Sequence, residues 1–295
     1  MPPRGGRQRH IPPNVSHNKI KNQMPAGKPK KEFQQYLCEA TKKGISNNDY
    51  LVSPATTFLK YTVEAKNAID LCIRKFPKKQ NGQYVSDSLD SIQHLETAVL
   101  PAIMGHFETF QKSLFAGMFD FTVYLRSFNL TAVIKKLKEA DVTIDLTRLS
   151  AYRNIGAASV GIIIADSLNG WHDPEKVNKH FGTFGLNYAF YSNDDCKRLR
   201  IIWQLRHSIV HTGGTLTLPD AQKINELKDF GNKQIAFEKN FIYEVARKFH
   251  PIVKNSTTGI GNAFKSNLMT GIPQDVKNKI DKFFEVRSSI GVWLR

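Results

Sequence analysis

The chain lacks most of the signatures that announce common chemistries. Its three cysteines, Cys38, Cys72 and Cys196, lie far apart with no C-x-x-C. That excludes a disulfide framework and makes a reducing, cytoplasmic setting the expectation. No apolar run reaches the roughly 18 to 20 residues that a membrane span needs. The most apolar stretch, Ile155 to Ala165, is shorter. The opening MPPRGGRQRH has no apolar core of the kind a secretory signal carries. There is no G-x-x-x-x-G-K-[ST], no G-x-S-x-G and no H-E-x-x-H, so phosphate-loop, serine-hydrolase and zinc-protease chemistries find no support. Nothing alternates polar and apolar residues long enough for a large sheet. Acidic residues are scarce: 26 Asp and Glu against 42 Lys and Arg leave a net charge of +16. Such a surplus favours polyanionic partners.

The charge is unevenly spread. Residues 1–31 hold Arg4, Arg7, Arg9, Lys19, Lys21, Lys28, Lys30 and Lys31 and no acidic residue, so this segment carries half of the net charge. Its prolines break helices, and it has few large apolar residues to drive collapse. Residues 1–45 therefore read as a basic, largely disordered arm. Arg4, Arg7, Arg9, Lys28, Lys30 and Lys31 are its candidate contacts to RNA phosphates, without sequence preference. A solvated tail with no partner is the plain alternative.

Residues 46–295 read as one helical domain. A hydrophobic share of 41% and 19 Phe suit a globular core. Phe58, Tyr61, Ala65, Ala68, Ile69, Cys72 and Ile73 recur at helical spacing and predict a helix over residues 58–74. A long helical stretch is predicted from about Asp87 to Arg126, with Pro101 starting or kinking a segment. Leu146 to Leu168 reads as a central buried helix. Asp173-Pro174-Glu175 opens a short helix by cap and first-turn chemistry. Residues 182–191 (GTFGLNYAFY) read as an aromatic loop or short extended segment, its rings suited to base stacking and more often used in cores. Ser192 to Asp195 offer caps for a helix over about 194–212, which Gly213-Gly214 closes. Helices come next near 219–228 and 237–253, then a Gly/Ser/Thr-rich connection over 255–271, then a last helix over 273–289.

The candidate chemistry lies on the helix over 194–212. His207 and His211 are four residues apart and share a face. Arg206 precedes His211 by five residues, which puts it about 140° round the helix. Those residue types suit cleavage of RNA without a metal. The ribose 2′-hydroxyl is a nucleophile that the substrate itself supplies. Histidine can take its proton or protonate the leaving oxygen, and a guanidinium stabilises the charge gathering on phosphorus. The pattern alone is weak: 13 Arg and 9 His in 295 residues give R-x4-H about 0.4 times by chance. A pair of helix-end histidines stabilised by the helix dipole is the ordinary alternative. A zinc site is disfavoured, because Cys196 lies about 16 Å along the axis from His207. No metal and no cofactor are expected.

The segment WQLRHSIVHTGG resembles the signature helix of HEPN-domain proteins: Arg, then four to six residues, then His, with a polar residue after the Arg. The stretch LPAIMGHFETFQKSLFAGMFD is similar to the long early helix of that family, which carries an acidic residue. Glu108 is the best match for it and Asp120 the second. FGNKQIAFEKNFIYEVARKF is similar to the segment after the signature helix in some members. The resemblance covers about residues 86–254. It implies an all-α bundle of the HEPN type and an endoribonuclease working as a homodimer, with two signature helices meeting at one composite site. By matching position Arg206 binds the scissile phosphate, His211 serves in acid/base catalysis, His207 orients the site, and Glu108 hydrogen-bonds to the Arg or a His. It also implies a toxin or phage-defence role, with an antitoxin or regulatory protein as a further partner. A non-catalytic RNA-binding or assembly module is the alternative function.

Overall fold

The apolar positions spaced three and four apart between Ile92 and Met118 become the axis of the fold. The computed structural model describes residue 34 and residues 44–139 and 159–287. The arm's candidate RNA contacts, Arg4 to Lys31, lie outside the described residues, as do residues 140–158, which hold much of the predicted central helix. Among the described residues the chain forms α1 (Asn47–Val52), α2 (Pro54–Lys75), α3 (Ser86–Phe121), α4 (Leu130–Glu139) and α5 (Val160–Ser167). Then come α6 (Pro174–Gly182), α7 (Asn193–His211), β1 (Thr215–Leu216), α8 (Leu218–Gln222), β2 (Lys233–Gln234), α9 (Phe241–Ser266) and α10 (Gln274–Phe283). The architecture is all-α, with β1 and β2 forming one short antiparallel pair. Among the described residues no helix is long and apolar enough to cross a membrane.

Helix α3 runs 36 residues, about 54 Å at the usual rise. It passes Pro101 without a break. Leu100, Ile103, Met104, Phe107, Phe110, Leu114, Phe115 and Met118 are all buried along it. Phe107 sits at the hub. Its ring lies 5.3 Å from that of Phe58 on α2, 4.5 Å from Phe249 on α9 and 6.4 Å from Trp203 on α7. A second knot joins Phe115 to Trp171, Phe181 and Phe184 at 5.1 to 5.9 Å. The aromatic segment 182–191 is a loop, and its rings serve the core: Phe184, Phe190 and Tyr191 are buried. The Tyr191 hydroxyl accepts from Gln111 Nε2 at 2.9 Å.

One predicted connection is a helix instead. Residues 255–266, read as a Gly/Ser/Thr-rich linker, continue α9 to Ser266. Their small side chains fit narrow gaps: Ser256 and Thr257 are buried, a Cβ at Gly259 would meet the Tyr188 ring, and one at Gly261 would meet Phe284. Close packing outweighs the roughly 1 kcal/mol that glycine costs a helix interior. The region predicted helical near 219–228 is split into α8 and a 3₁₀ turn over Asn225–Phe230.

Two contacts fix neighbouring helices on α3. Gly161 of α5 sits against the Ala116 carbonyl, and its N–H donates to Asp120 Oδ1 at 3.1 Å. Asp120, a candidate acidic partner of the signature, is thus spent on starting α5. Glu96 is fully buried and accepts the Ile242 N–H at 3.3 Å through Oε2. It therefore caps α9, whose own Asn240 makes no side-chain cap bond. Burial drives the Glu96 carboxyl up to about 7, against the opposing pull of the Ile242 and Phe241 N–H groups.

Replacing Gly161 by Ala forces a Cβ onto the Ala116 backbone. Thermal unfolding will register a loss of roughly 1–3 kcal/mol, because overpacking here cannot be relieved by a side-chain rotation. Glu96 binds its proton more tightly folded than unfolded, so its stabilising contribution is full below about pH 4.5 and is lost as pH rises through about 7. The swing is on the order of 3 kcal/mol. Glu96→Gln, which keeps an acceptor and removes the titration, will flatten the decline in melting temperature between pH 5 and 8. An unchanged decline would assign it to other groups.

Candidate active site

Helix α7 carries the Arg and His residues, and its ends are sharply defined. Ser192 caps it, its hydroxyl accepting the Asp195 N–H at 3.1 Å, and Asp194 and Asp195 occupy the first turn. This is the favourable end for negative charge. At the other end Thr212 and Gly214 both donate backbone N–H bonds to the Ser208 carbonyl at 3.1 Å. Gly213 and Gly214 have φ of 62° and 81°, conformations that a side chain would strain. The turn is then pinned just after β2, where the Ile235 N–H donates to the Gly214 carbonyl at 2.7 Å.

The helix runs antiparallel to α3. Near its start Tyr191 meets Gln111, in its middle Trp203 meets Phe107, and its end shares a groove with residues 90–98. Cys196, Leu199 and Trp203 form the buried stripe facing α3. Arg206 is the next position on that stripe. It is half-buried, and its Nε is enclosed without an acceptor among the described residues. His207 and His211 are exposed, with rings 4.7 Å apart, as four-residue spacing on one face requires. Arg206 and His211 keep the wide angular separation that the spacing dictates.

Glu108 is not brought to them. It ion-pairs with Lys112, one turn along the same helix, at 2.8 Å. The antiparallel register explains the displacement. Phe107 faces Trp203, so the stretch of α3 beside the last turns of α7 lies before Phe107, toward residues 90–98. His106 is also turned elsewhere. It stacks on Tyr61 at 3.5 Å and meets the Tyr50 hydroxyl through Nδ1 at 2.8 Å.

Two cavities flank the end of α7. One, of about 360 Å³, is lined by His172, Asp173, Pro174 and Glu175 at the start of α6, by Arg200, Trp203, Gln204 and His207 of α7, and by Lys223 and Ile224. Arg200 pairs with Glu175, and Lys223 with Asp220 at 2.7 Å. The Lys223 hydrogen bond chiefly holds the Asp220 carboxyl below its ordinary range, helped by the Thr217 hydroxyl and the nearness of His207. The other cavity, of about 490 Å³, is lined by Asp90, Gln93, His94, Thr97 and Ala98 of α3 together with Ile209, Gly213, Gly214, Gln234 and Ile235. His172, Lys223 and His94 escape sequence reasoning because they stand on other segments at no motif spacing from His207, whereas Arg200 lies two turns before His207 on the same face of α7. Only the helix start at Asp173-Pro174 was legible beside one of them. Among the described residues no three His, Cys, Asp or Glu side chains lie close enough to hold a metal ion.

Comparison with curated proteins and with solved structures returns no match. A family model does match, that of RiboL-PSP-HEPN, over residues 67–249, more than half of the chain. The match begins earlier than the sequence resemblance, inside α2, and it ends within α9. HEPN domains are associated with ribonuclease activity or RNA binding. The all-α fold, the capped and glycine-stopped α7 and the matched span agree: the chain belongs to the RiboL-PSP-HEPN family.

Proposed function

We propose that the protein is a metal-independent endoribonuclease. The observation that carries this reading is the pair of exposed imidazoles, His207 and His211, held 4.7 Å apart on the last turns of α7, with half-buried Arg206 beside them. One imidazole takes the proton of a ribose 2′-hydroxyl, and its oxygen attacks the adjacent phosphorus. The second protonates the departing 5′-oxygen as the P–O5′ bond breaks. The products are a 2′,3′-cyclic phosphate and a 5′-hydroxyl. DNA has no 2′-hydroxyl and is spared by the same chemistry. Arg206 holds the phosphate and offsets the charge that builds on it.

The working unit is a homodimer. Arg206 and His211 are about 140° apart on one helix, so a single α7 does not aim both at one phosphate. Two α7 helices side by side do. Exposed Val210, one turn past Arg206, offers an apolar contact for the second helix. The biological setting in this reading is that of a toxin or phage-defence effector, restrained by an antitoxin or regulatory protein. The basic arm, with Arg4, Arg7, Arg9, Lys28, Lys30 and Lys31, adds non-specific grip on RNA.

Purified protein incubated with total RNA in EDTA will cleave it, and His211→Ala will lose about 100-fold or more of the rate. Equal cleavage by the wild type and His211→Ala would sink the reading. Sedimentation will show a dimer, and a monomer that still cuts would rule out the composite site. Deleting residues 1–31 will weaken RNA binding and shallow its salt dependence, because up to eight phosphate-binding cations are removed. An unchanged salt slope would show that the arm does not touch RNA.

A further inference from the structure

The cavity beside His207 has a composition of its own. Its two fixed cations are already matched: Arg200 bonds to Glu175 and Lys223 to Asp220. Asp173 spends its carboxylate on capping α6, accepting from the N–H groups of Glu175 and Lys176. A pocket whose charges are internally balanced does not select for a bare phosphate. What remains unspent is aromatic, amide and apolar. Trp203 and His172 meet edge to face at 6.2 Å. Trp203 is only 6% exposed, yet its Nε1 has no acceptor among the described residues. Gln204 sits one residue on, its amide holding only a long 3.4 Å contact to Ser208 Oγ. An amide offers both donors and an acceptor. Pro174 and Ile224 complete the walls. At about 360 Å³ the space falls at the small end of ligand cavities.

A flat heterocycle with a polar edge fits this lining better than an anion does. Single-stranded RNA presents such groups when a base is splayed from its stack, to be packed on aromatic rings and read along its edge. We propose that this pocket holds one nucleobase of the bound RNA, with His172 and Gln204 as its specificity-determining contacts. Resting on the ribonuclease reading, the base is the one next to the cut, because His207 lines both the pocket and the histidine pair. Lys223 and Arg200 also line the cavity, each paired with a carboxylate. His172 lies 35 residues before His207, on the turn that leads into α6. Folding alone makes it a neighbour of the signature helix.

Calorimetry on the full chain carrying His211→Ala, which separates binding from cleavage, tests the proposal. The probes are the four nucleoside 3′-monophosphates and inorganic phosphate. One nucleotide will bind about tenfold or more tighter than the least favoured, and adding His172→Ala or Gln204→Ala will erase that preference. Inorganic phosphate, lacking a base, will bind about tenfold or more weakly than the favoured nucleotide. Circular dichroism checks that the variants fold, and Gln204→Glu, which keeps the shape and removes the donors, gives the same test without truncation. Equal binding of all four nucleotides, a preference unmoved by His172→Ala and Gln204→Glu, or phosphate binding as tightly as a nucleotide would each overturn the proposal. Selective binding, with no RNA cut by the chain that keeps His211, would strike down the ribonuclease reading and leave the pocket standing. RNA cleavage without nucleotide preference would do the reverse.

Discussion

The packing of Phe107 against Trp203 decides which faces of α7 are buried and which are open. Phe107 also touches Phe58 and Phe249, so one ring on α3 ties α2, α7 and α9 together. Aromatic pairs of this kind add about 0.5–1.5 kcal/mol each beyond the area they bury. Their larger effect here is geometric. With Trp203 held against α3, the remaining faces of α7 are assigned. The stripe through Cys196, Leu199 and Trp203 is core, Arg206 lies where that stripe reaches the surface, and His207 and His211 are turned outward.

The end of α7 is built to stay where that packing puts it. Three features converge on two glycines: the Ser208 carbonyl accepts from Thr212 and Gly214, β1 pairs with β2, and the Ile235 N–H closes on Gly214. A helix with a frayed end would scatter the two imidazoles. A helix stopped within one turn of His211 holds them at a defined separation, as the proposed acid and base roles require. Glu96 makes a parallel commitment one layer away. It spends a fully buried carboxyl on starting α9, and α9 in turn supplies Phe249 to the hub.

Much of the candidate site was legible because it is local. Ser192 as a cap, Gly213-Gly214 as a stop and the shared face of His207 and His211 are consequences of spacing along one helix. The place of Glu108 relative to α7 was not legible. Glu108 stands on the expected helix and pairs with Lys112 four residues on, while the stretch of α3 that shares a groove with the end of α7 lies before Phe107. The helical course of residues 255–266 was hidden for a related reason. Its Gly, Ser and Thr residues read as a linker when local propensity is summed, and only Tyr188 and Phe284 lying against Gly259 and Gly261 explain why those residues are small.

By itself the sequence determined the class of fold, the uneven basic charge, the limits of α7 and the angular positions of Arg206, His207 and His211, because helical periodicity converts spacing directly into direction. Only the tertiary structure decided which other residues stand beside them. His172 and Lys223 come from separate segments and join α7 at one cavity, and no spacing in the chain encodes that meeting. Side-chain direction on one helix is a local property. Contact between helices depends on how their buried faces fit, and that fit is set by every ring in the core at once.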